Sequence, residues 1–328
     1  MAIEFHVGTG QPYATRQAGV DAIASLYGGA GWPAEPVDLV VHGTVTEAYA
    51  LNVSGFTPTL ANPFTIRGYS GRDYDKGMSG YMGITTPYTR FRDITEQGTA
   101  DRQIIPGDAA LSTSLRFSRV HFIEYDIEPY IATITGEILV ERCLHTGSLY
   151  GIFNPRNGTV ISTGGLCIVR DCIADSRILS FFGGAEINGG NVILDNNTVL
   201  NGLLVDAAAR AYCLTLTSGG LYIRNNIAKR ASGLLVDFGA SVITPTVMNN
   251  NRYSHESGAF QVGGVGYNTL AAWRTAISGE ADSTVGDPGI DANGRLLASS
   301  ACIGAGLDLH ADSLNPFAND YDGQARPS

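Results

Sequence analysis

Two groups of carboxylates have the types and spacing to do chemistry. In the run Phe-Ile-Glu-Tyr-Asp-Ile-Glu-Pro-Tyr at 122–130, Glu124, Asp126 and Glu128 alternate with Ile123, Tyr125 and Ile127. On a strand the three acids would share one face. Asp171, Asp175 and Asp195 form the second group if the segments that carry them lie side by side. Two carboxyl groups roughly 5 to 9.5 Å apart across a sugar linkage are the equipment of a glycosidase. One base assisted by Ca²⁺ or another cation is that of a lyase acting on a uronate. Against both stands a plainer reading: acids alternating with Ile and Tyr mark any half-exposed strand, and Asp171 and Asp195 fall where turn and pairing residues recur.

Other chemistries find less. The six His stand apart at 6, 42, 121, 145, 255 and 310, with no His-Glu-x-x-His. Cys167 and Cys172 are spaced too widely for a zinc knuckle, no Gly-x-Ser-x-Gly turn occurs, and Gly8-Thr9-Gly10 lacks the rest of a phosphate-binding loop. No cofactor is implied, except Ca²⁺ under a lyase reading.

The elements that must position any such residues come from a repeat. Val140-Glu141-Arg142-Cys143, Val169-Arg170-Asp171-Cys172, Leu194-Asp195-Asn196-Asn197, Ile223-Arg224-Asn225-Asn226 and Met248-Asn249-Asn250-Asn251 share a frame: one aliphatic residue, two polar ones, then Cys or Asn. Fainter copies end at 69, 94 and 120, so eight last positions span 69 to 251 at a mean interval of 26 residues. Short aliphatic runs followed by Gly, Asn or Asp, without helical spacing, make each interval one turn of a solenoid of strands. The fold class is therefore all-β: a single-stranded right-handed parallel β-helix with an N-terminal amphipathic cap helix and an irregular C-terminal cap. Cys143, Cys172, Asn197, Asn226 and Asn251 would stack as a ladder, the Asn side chains satisfying backbone groups at a buried bend. Glu141, Arg170, Asp195, Arg224 and Asn249 would stack beside them with alternating sign. Cys143 and Cys172 are expected as stacked thiols, although adjacent coils would also bring them within reach of a disulfide.

Three regions follow: 1–36 with the cap helix, 37–255 as the β-helix, and 256–328 as the C-terminal cap. In the first, Ala18, Ala22, Ile23, Leu26 and Tyr27 would form the apolar face of a helix stopped by Gly28-Gly29. In the last, a short helix at 267–274, a turn at Asp287-Pro288 and a final strand and bend at 300–306 are predicted. The formal charge of −10, without a Lys/Arg run, argues against a nucleic-acid partner. No run of eighteen apolar residues occurs, so no membrane span is expected. The start Met-Ala-Ile-Glu-Phe-His has neither the basic nor the apolar region of an export signal.

Tyr13-Ala14-Thr15 with Gln17 and Val20-Asp21-Ala22, then Val40-Val41-His42-Gly43-Thr44 and Ile66-Arg67-Gly68, resemble the opening of pectate-lyase-like right-handed β-helix proteins. Arg16 stands where that group has Ile. The tail, with Ser300-Ala301-Cys302-Ile303-Gly304-Ala305-Gly306 and Asp322-Gly323-Gln324-Ala325-Arg326, is similar to the end of the same group. The resemblance implies the fold over nearly the whole chain, and carbohydrate cleavage as a common activity. The group's polygalacturonase-like phrases (Asn-Thr-Asp, Asp-Asp, Gly-His-Gly, Arg-Ile-Lys) and its lyase-type Asp-His phrase are absent. Many β-helical proteins made without an export signal are phage virion components, so what the resemblance implies here is a structural or adhesive module on a phage particle, as capsid decoration, knob or tail component, facing other virion or surface proteins and glycans. Tyr74 and the pair Phe181-Phe182 are candidate contacts, although Phe181-Phe182 would serve equally as a core aromatic stack. The alternative is an extracellular polysaccharide lyase or glycoside hydrolase using Glu124, Asp126, Asp171, Asp175 or Asp195. Trimeric tailspikes and monomeric lyases share this coil, so either oligomeric state is compatible.

Overall fold

The computed structural model describes the chain apart from residues 30, 44, 46–50, 70–72, 77–81, 85–87, 107–109, 112–113, 128, 130–132, 148–150, 156–157, 181–184, 208–213, 242, 317–318, 323 and 325–328. Its strands wind into a parallel β-helix. The first sheet stacks Ile3–Gly8, Val37–His42, Phe64–Gly68, Thr89–Arg92, Leu115–Ser118, Glu137–Glu141, Leu166–Arg170, Ala185–Asp195, Thr215–Arg224 and Val247–Asn249, each parallel to the next. A second sheet runs in the same order from Asn52–Val53 to Thr284–Val285. The third carries Arg177–Ser180, Leu203–Asp206, Val236–Asp237 and Phe260–Val262, and ends in the antiparallel strand Val265–Tyr267.

Alternation along each strand builds the core. In the first sheet the register aligns Leu39, Ile66, Phe91, Phe117, Val140, Val169, Leu194, Ile223 and Met248 into one inward column. All nine are buried, and Phe91 stacks on Phe117 with ring centroids 4.9 Å apart. Burying one such Phe or Leu contributes about 1.5–3 kcal/mol. The residues between them point outward and build the surfaces described below.

Between the first and second sheets the chain turns on one left-handed residue: Asp93, Arg119, Arg142, Asp171, Asn196, Asn225 and Asn250, all with φ between 52° and 58°. Short Asn and Asp side chains tolerate this conformation best, and they hold five of the seven positions. The next residue in each later turn is Cys143, Cys172, Asn197, Asn226 or Asn251, the frame seen in the sequence.

The cap helix α1 covers Arg16–Tyr27, with Thr15 Oγ1 accepting from Ala18 N–H at 3.1 Å. Its buried face is Arg16, Gly19, Val20 and Ile23, rotated from the expected one, and Leu26 is 55% exposed. The rotation follows from Gly19, where a Cβ would lie 2.4 Å from Leu39 Cδ1 and 2.8 Å from Val7 Cγ1. Only glycine allows the helix so close to the first coil. The strand Ile3–Gly8, within the segment assigned to the cap, already pairs with Val37–His42.

Two further expectations change. In the strand His121–Ile127 both Phe122 and Ile127 are buried, which strict alternation forbids; a register shift between Ile123 and Tyr125 breaks the period. Helix α2 forms at Leu270–Ile277, but Ser300–Gly306 is a series of turns, not a strand, because the tail there crosses the turn column instead of joining a sheet. Phe181 and Phe182 and the Tyr74 side chain lie outside the described residues.

Candidate functional site

The turn column is a continuous hydrogen-bonded ladder. Cys172 N–H donates to Asn197 Oδ1 at 3.0 Å, Asn197 N–H to Asn226 Oδ1 at 2.9 Å, and Asn226 N–H to Asn251 Oδ1 at 2.9 Å. Below them Cys143 N–H reaches Cys172 Sγ at 3.4 Å. Each Asn also returns a bond from its amide nitrogen: Asn197 to Val169 O, Asn226 to Leu194 O and Asn251 to Ile223 O, at 2.8 to 3.0 Å. Cys143 and Cys172 are free thiols, and burial pushes the Cys172 thiol up. The ladder ends on Ser283 Oγ, which accepts from Asn251 N–H at 2.8 Å, and on buried Glu280. Tyr253 OH and Ser283 Oγ both donate to Glu280, yet burial still holds its carboxyl above the ordinary value.

Beside the ladder, on the outward face of the first sheet, Glu141, Arg170, Asp195, Arg224 and Asn249 stand in register. Arg170 Nη2 lies 2.8 Å from Glu141 Oε2, and Arg224 takes both oxygens of Asp195 at 2.9 and 2.7 Å. Burial raises Asp195 and opposes the charge on Arg224, but bonds to Asp195 and Asp312 more than offset this for the arginine. The arginine's direction governs the pair, since two guanidinium N–H groups converge on one carboxylate. Asp195 is therefore held in a two-pronged structural bond to Arg224.

The C-terminal segment runs back over this face as a strap. Asp312 Oδ2 accepts from Arg224 at 2.6 Å, Asn315 bridges Arg170 and Asp195 at 2.5 and 3.1 Å, and Asn225 exchanges two bonds with the Leu307 backbone at 2.7 and 2.8 Å. Leu314 covers the outward apolar stripe Leu139, Ile168 and Ile193. Between strap and turn column lies a groove of about 690 Å³. Asp171, Asn196, Asn225 and Asn250, from four successive coils, line one side, and Arg295 and Tyr321 the other. Arg295 sits 5.5 Å above the Tyr321 ring and 2.8 Å from Asp322. Three coil spacings make the groove roughly 14 Å long, a shape for an extended chain lined with amides, carboxylates and one aromatic ring.

A second cluster lies on the third sheet, where Asp206 and Asp237 are register neighbours on adjacent coils and both buried. Arg177 Nε lies 2.7 Å from Asp206 Oδ2, while Asp237 Oδ1 accepts from Gly239 N–H at 2.7 Å. Burial, and after it the charge of Asp206, pushes Asp237 above the ordinary carboxylate value.

Among the described residues, the carboxylates singled out in the sequence play separate parts. Asp171 is a turn residue lining the groove; Asp195 is locked under the strap. Asp175 follows the strand Ile173–Ala174 and accepts from Gly147 N–H at 3.2 Å. Glu124 and Asp126 belong to the strand His121–Ile127, with side chains outside the described residues, as is Glu128. Sequence reasoning missed Asp206 and Asp237, although both end aliphatic runs, Leu203-Leu204-Val205 and Leu234-Leu235-Val236. It also missed a pair of histidines: His6 Nδ1 and His42 Nε2 are 2.7 Å apart, with Tyr69 stacked on His42 at 4.0 Å. Among the described residues no three His, Cys, Asp or Glu side chains converge as metal ligands, and no helix is long and apolar enough to cross a membrane. Comparison with protein-family models, with curated proteins and with solved structures finds no match to this chain.

Proposed function

We propose that the chain is a structural or adhesive β-helix module displayed on a phage particle, as capsid decoration, knob or tail component, and that it holds an extended glycan along its flank. The groove between strap and turn column carries this reading, because it follows four coils and offers hydrogen-bonding amides opposite Tyr321 and Arg295. An aromatic face beside polar groups suits sugar rings, which present C–H faces and hydroxyls. The Asn ladder and the ion pairs beside it support a rigid scaffold, since bonds running from coil to coil make local opening costly. The test is twofold: mass spectrometry of purified particles for stoichiometric chain, and binding to a glycan panel by wild type and by Tyr321→Ala with Arg295→Ala. At least a tenfold loss of glycan affinity is expected in the double variant. Absence from particles together with no glycan binding overturns the reading.

A second reading, a secreted polysaccharide lyase or glycoside hydrolase, is favoured by Asp206 and Asp237. Two stacked carboxyls, one pushed up by burial and by its neighbour, suit an acid and a base. Incubation with acidic and neutral polysaccharides, with and without Ca²⁺, tests it. New reducing ends or unsaturated products that vanish in Asp237→Asn support it, and no turnover on any substrate counts against it.

A further inference from the structure

The outward face of the first sheet divides into two halves. In the strap-covered half, charges alternate from coil to coil: Glu141, Arg170, Asp195, Arg224. Nearer the N-terminus that rule is broken twice. The register sets Arg90 directly opposite Arg116, and Arg67 directly opposite Arg92. Register neighbours in a sheet stand roughly 4.8 Å apart, and like charges placed there are destabilising.

Counterions answer only part of this charge. Arg67 is taken by Glu4 and Asp38, each at 2.6 Å. Arg116 Nε lies 2.7 Å from Glu137 Oε1. Arg119 binds Asp93 through two nitrogens, and Arg92 reaches the same carboxylate at 3.4 Å. Arg90 has no ion pair or hydrogen bond among the described residues. Arg90, Arg92, Arg116 and Arg119 share two carboxylates, Asp93 and Glu137, with Glu141 also acting on Arg119, so positive charge is in excess around Arg90. Burial and then the charges of Arg116 and Arg92 lower the Arg90 pKa, as expected for a guanidinium crowded by its own kind. Arg92 and Arg116 have side chains 49% and 39% exposed, so the cluster is accessible.

We propose that this cluster is a binding site for a tetrahedral oxyanion, a phosphate or sulfate group carried by a ligand, with Arg90 at its centre. A planar carboxylate is satisfied by one guanidinium fork, the role Glu137 and Asp93 already fill here. An oxyanion with several acceptor faces matches donors arriving from two adjacent coils and a local excess of positive charge. The site is separate from the groove, so it stands or falls independently of the glycan-binding reading.

The test is calorimetric titration of the whole chain at low ionic strength, where exposed charges are least screened. The probes are inorganic phosphate, inorganic sulfate, glucose 6-phosphate, glucose 6-sulfate and glucuronate. Phosphate and sulfate forms are expected to bind, with the two sugar esters showing which is preferred, and glucuronate at least tenfold more weakly. Arg90→Gln should weaken binding at least tenfold and the exposed Arg92→Gln several-fold; Arg230→Gln, elsewhere on the rod, should change nothing. Urea denaturation of each variant establishes that it is folded, and Arg92→Gln serves if Arg90→Gln is not. No binding of phosphate or sulfate, equal binding of glucuronate, or unchanged binding in both patch variants overturns the proposal. Loss of neutral-glycan binding in the groove variants, with phosphate binding intact, would separate the two sites.

Discussion

Replacing Asn226 by Ala tests the ladder at its centre. Asn226 is 1% exposed, and its side chain serves four partners: it donates to Leu194 O and Asn251 Oδ1 and accepts from Asn197 N–H and Asn197 Nδ2. Asn251 Oδ1 keeps Asn226 N–H as a donor, and Asn197 Nδ2 keeps Val169 O. The truncation therefore orphans one group outright, Asn197 N–H, because the parallel ladder leaves Leu194 C=O the N–H of Arg224. A buried unsatisfied group costs about 1–3 kcal/mol, so the loss should be at least about 1–3 kcal/mol. Asn226→Cys should lose less, because Cys172 holds the equivalent place one ladder step below Asn197 and its sulfur takes the Cys143 N–H. Urea denaturation with linear extrapolation measures both, and hydrogen exchange at the Asn197 amide locates the effect. A change in Asn226→Ala below about 0.5 kcal/mol, or a Cys variant less stable than the Ala one, would refute the view that the ladder stabilises by satisfying backbone groups.

Three further outcomes follow from the geometry. Arg224→Ala leaves Asp195, which is 0% exposed, without its bidentate partner and should cost about 3–5 kcal/mol by denaturation, whereas Asp312→Asn should mainly speed proteolysis of the tail. Glu280, raised by burial above 4.5, binds its proton more tightly folded than unfolded, so its contribution to stability is present below 4.5 and is lost as pH rises from there through the raised folded value. Denaturation across that window should show the slope in wild type and a flatter profile in Glu280→Gln. Gly202→Ala would set a Cβ 1.3 Å from Ser176 O, so the coil must shift, and the variant should lose more than about 3 kcal/mol or fail to accumulate as folded protein.

The solenoid was legible in the sequence because its strongest constraints are local and periodic. A left-handed turn residue followed by a buried Cys or Asn recurs at five successive corners between the first two sheets, and inward Val, Ile, Leu and Phe alternate with outward polar residues. The strap was not legible, because Asp312, Asn315 and Leu314 meet partners 88, 120 and more residues away, and nothing beside them in the chain signals those contacts. The helix face was misjudged for a related reason: Gly19 carries no hydrophobic signal, yet it decides which side of α1 can approach Leu39. Strand alternation put Glu124 and Asp126 on one face, and the irregular pairing between Ile123 and Tyr125 cannot be read from composition. Asp206 and Asp237 look like strand ends in isolation, and only the parallel register makes them neighbours.

The ladder has a direction. Every rung's N–H is satisfied by the side chain of the following coil, so a rod cut after any rung would bare a donor at its new tip, and Ser283 with Glu280 is the stopper that prevents this. Lengthening such a rod by design would therefore mean splicing new coils upstream of that stopper, each bringing its own Asn, while the terminal pair travels unchanged to the end.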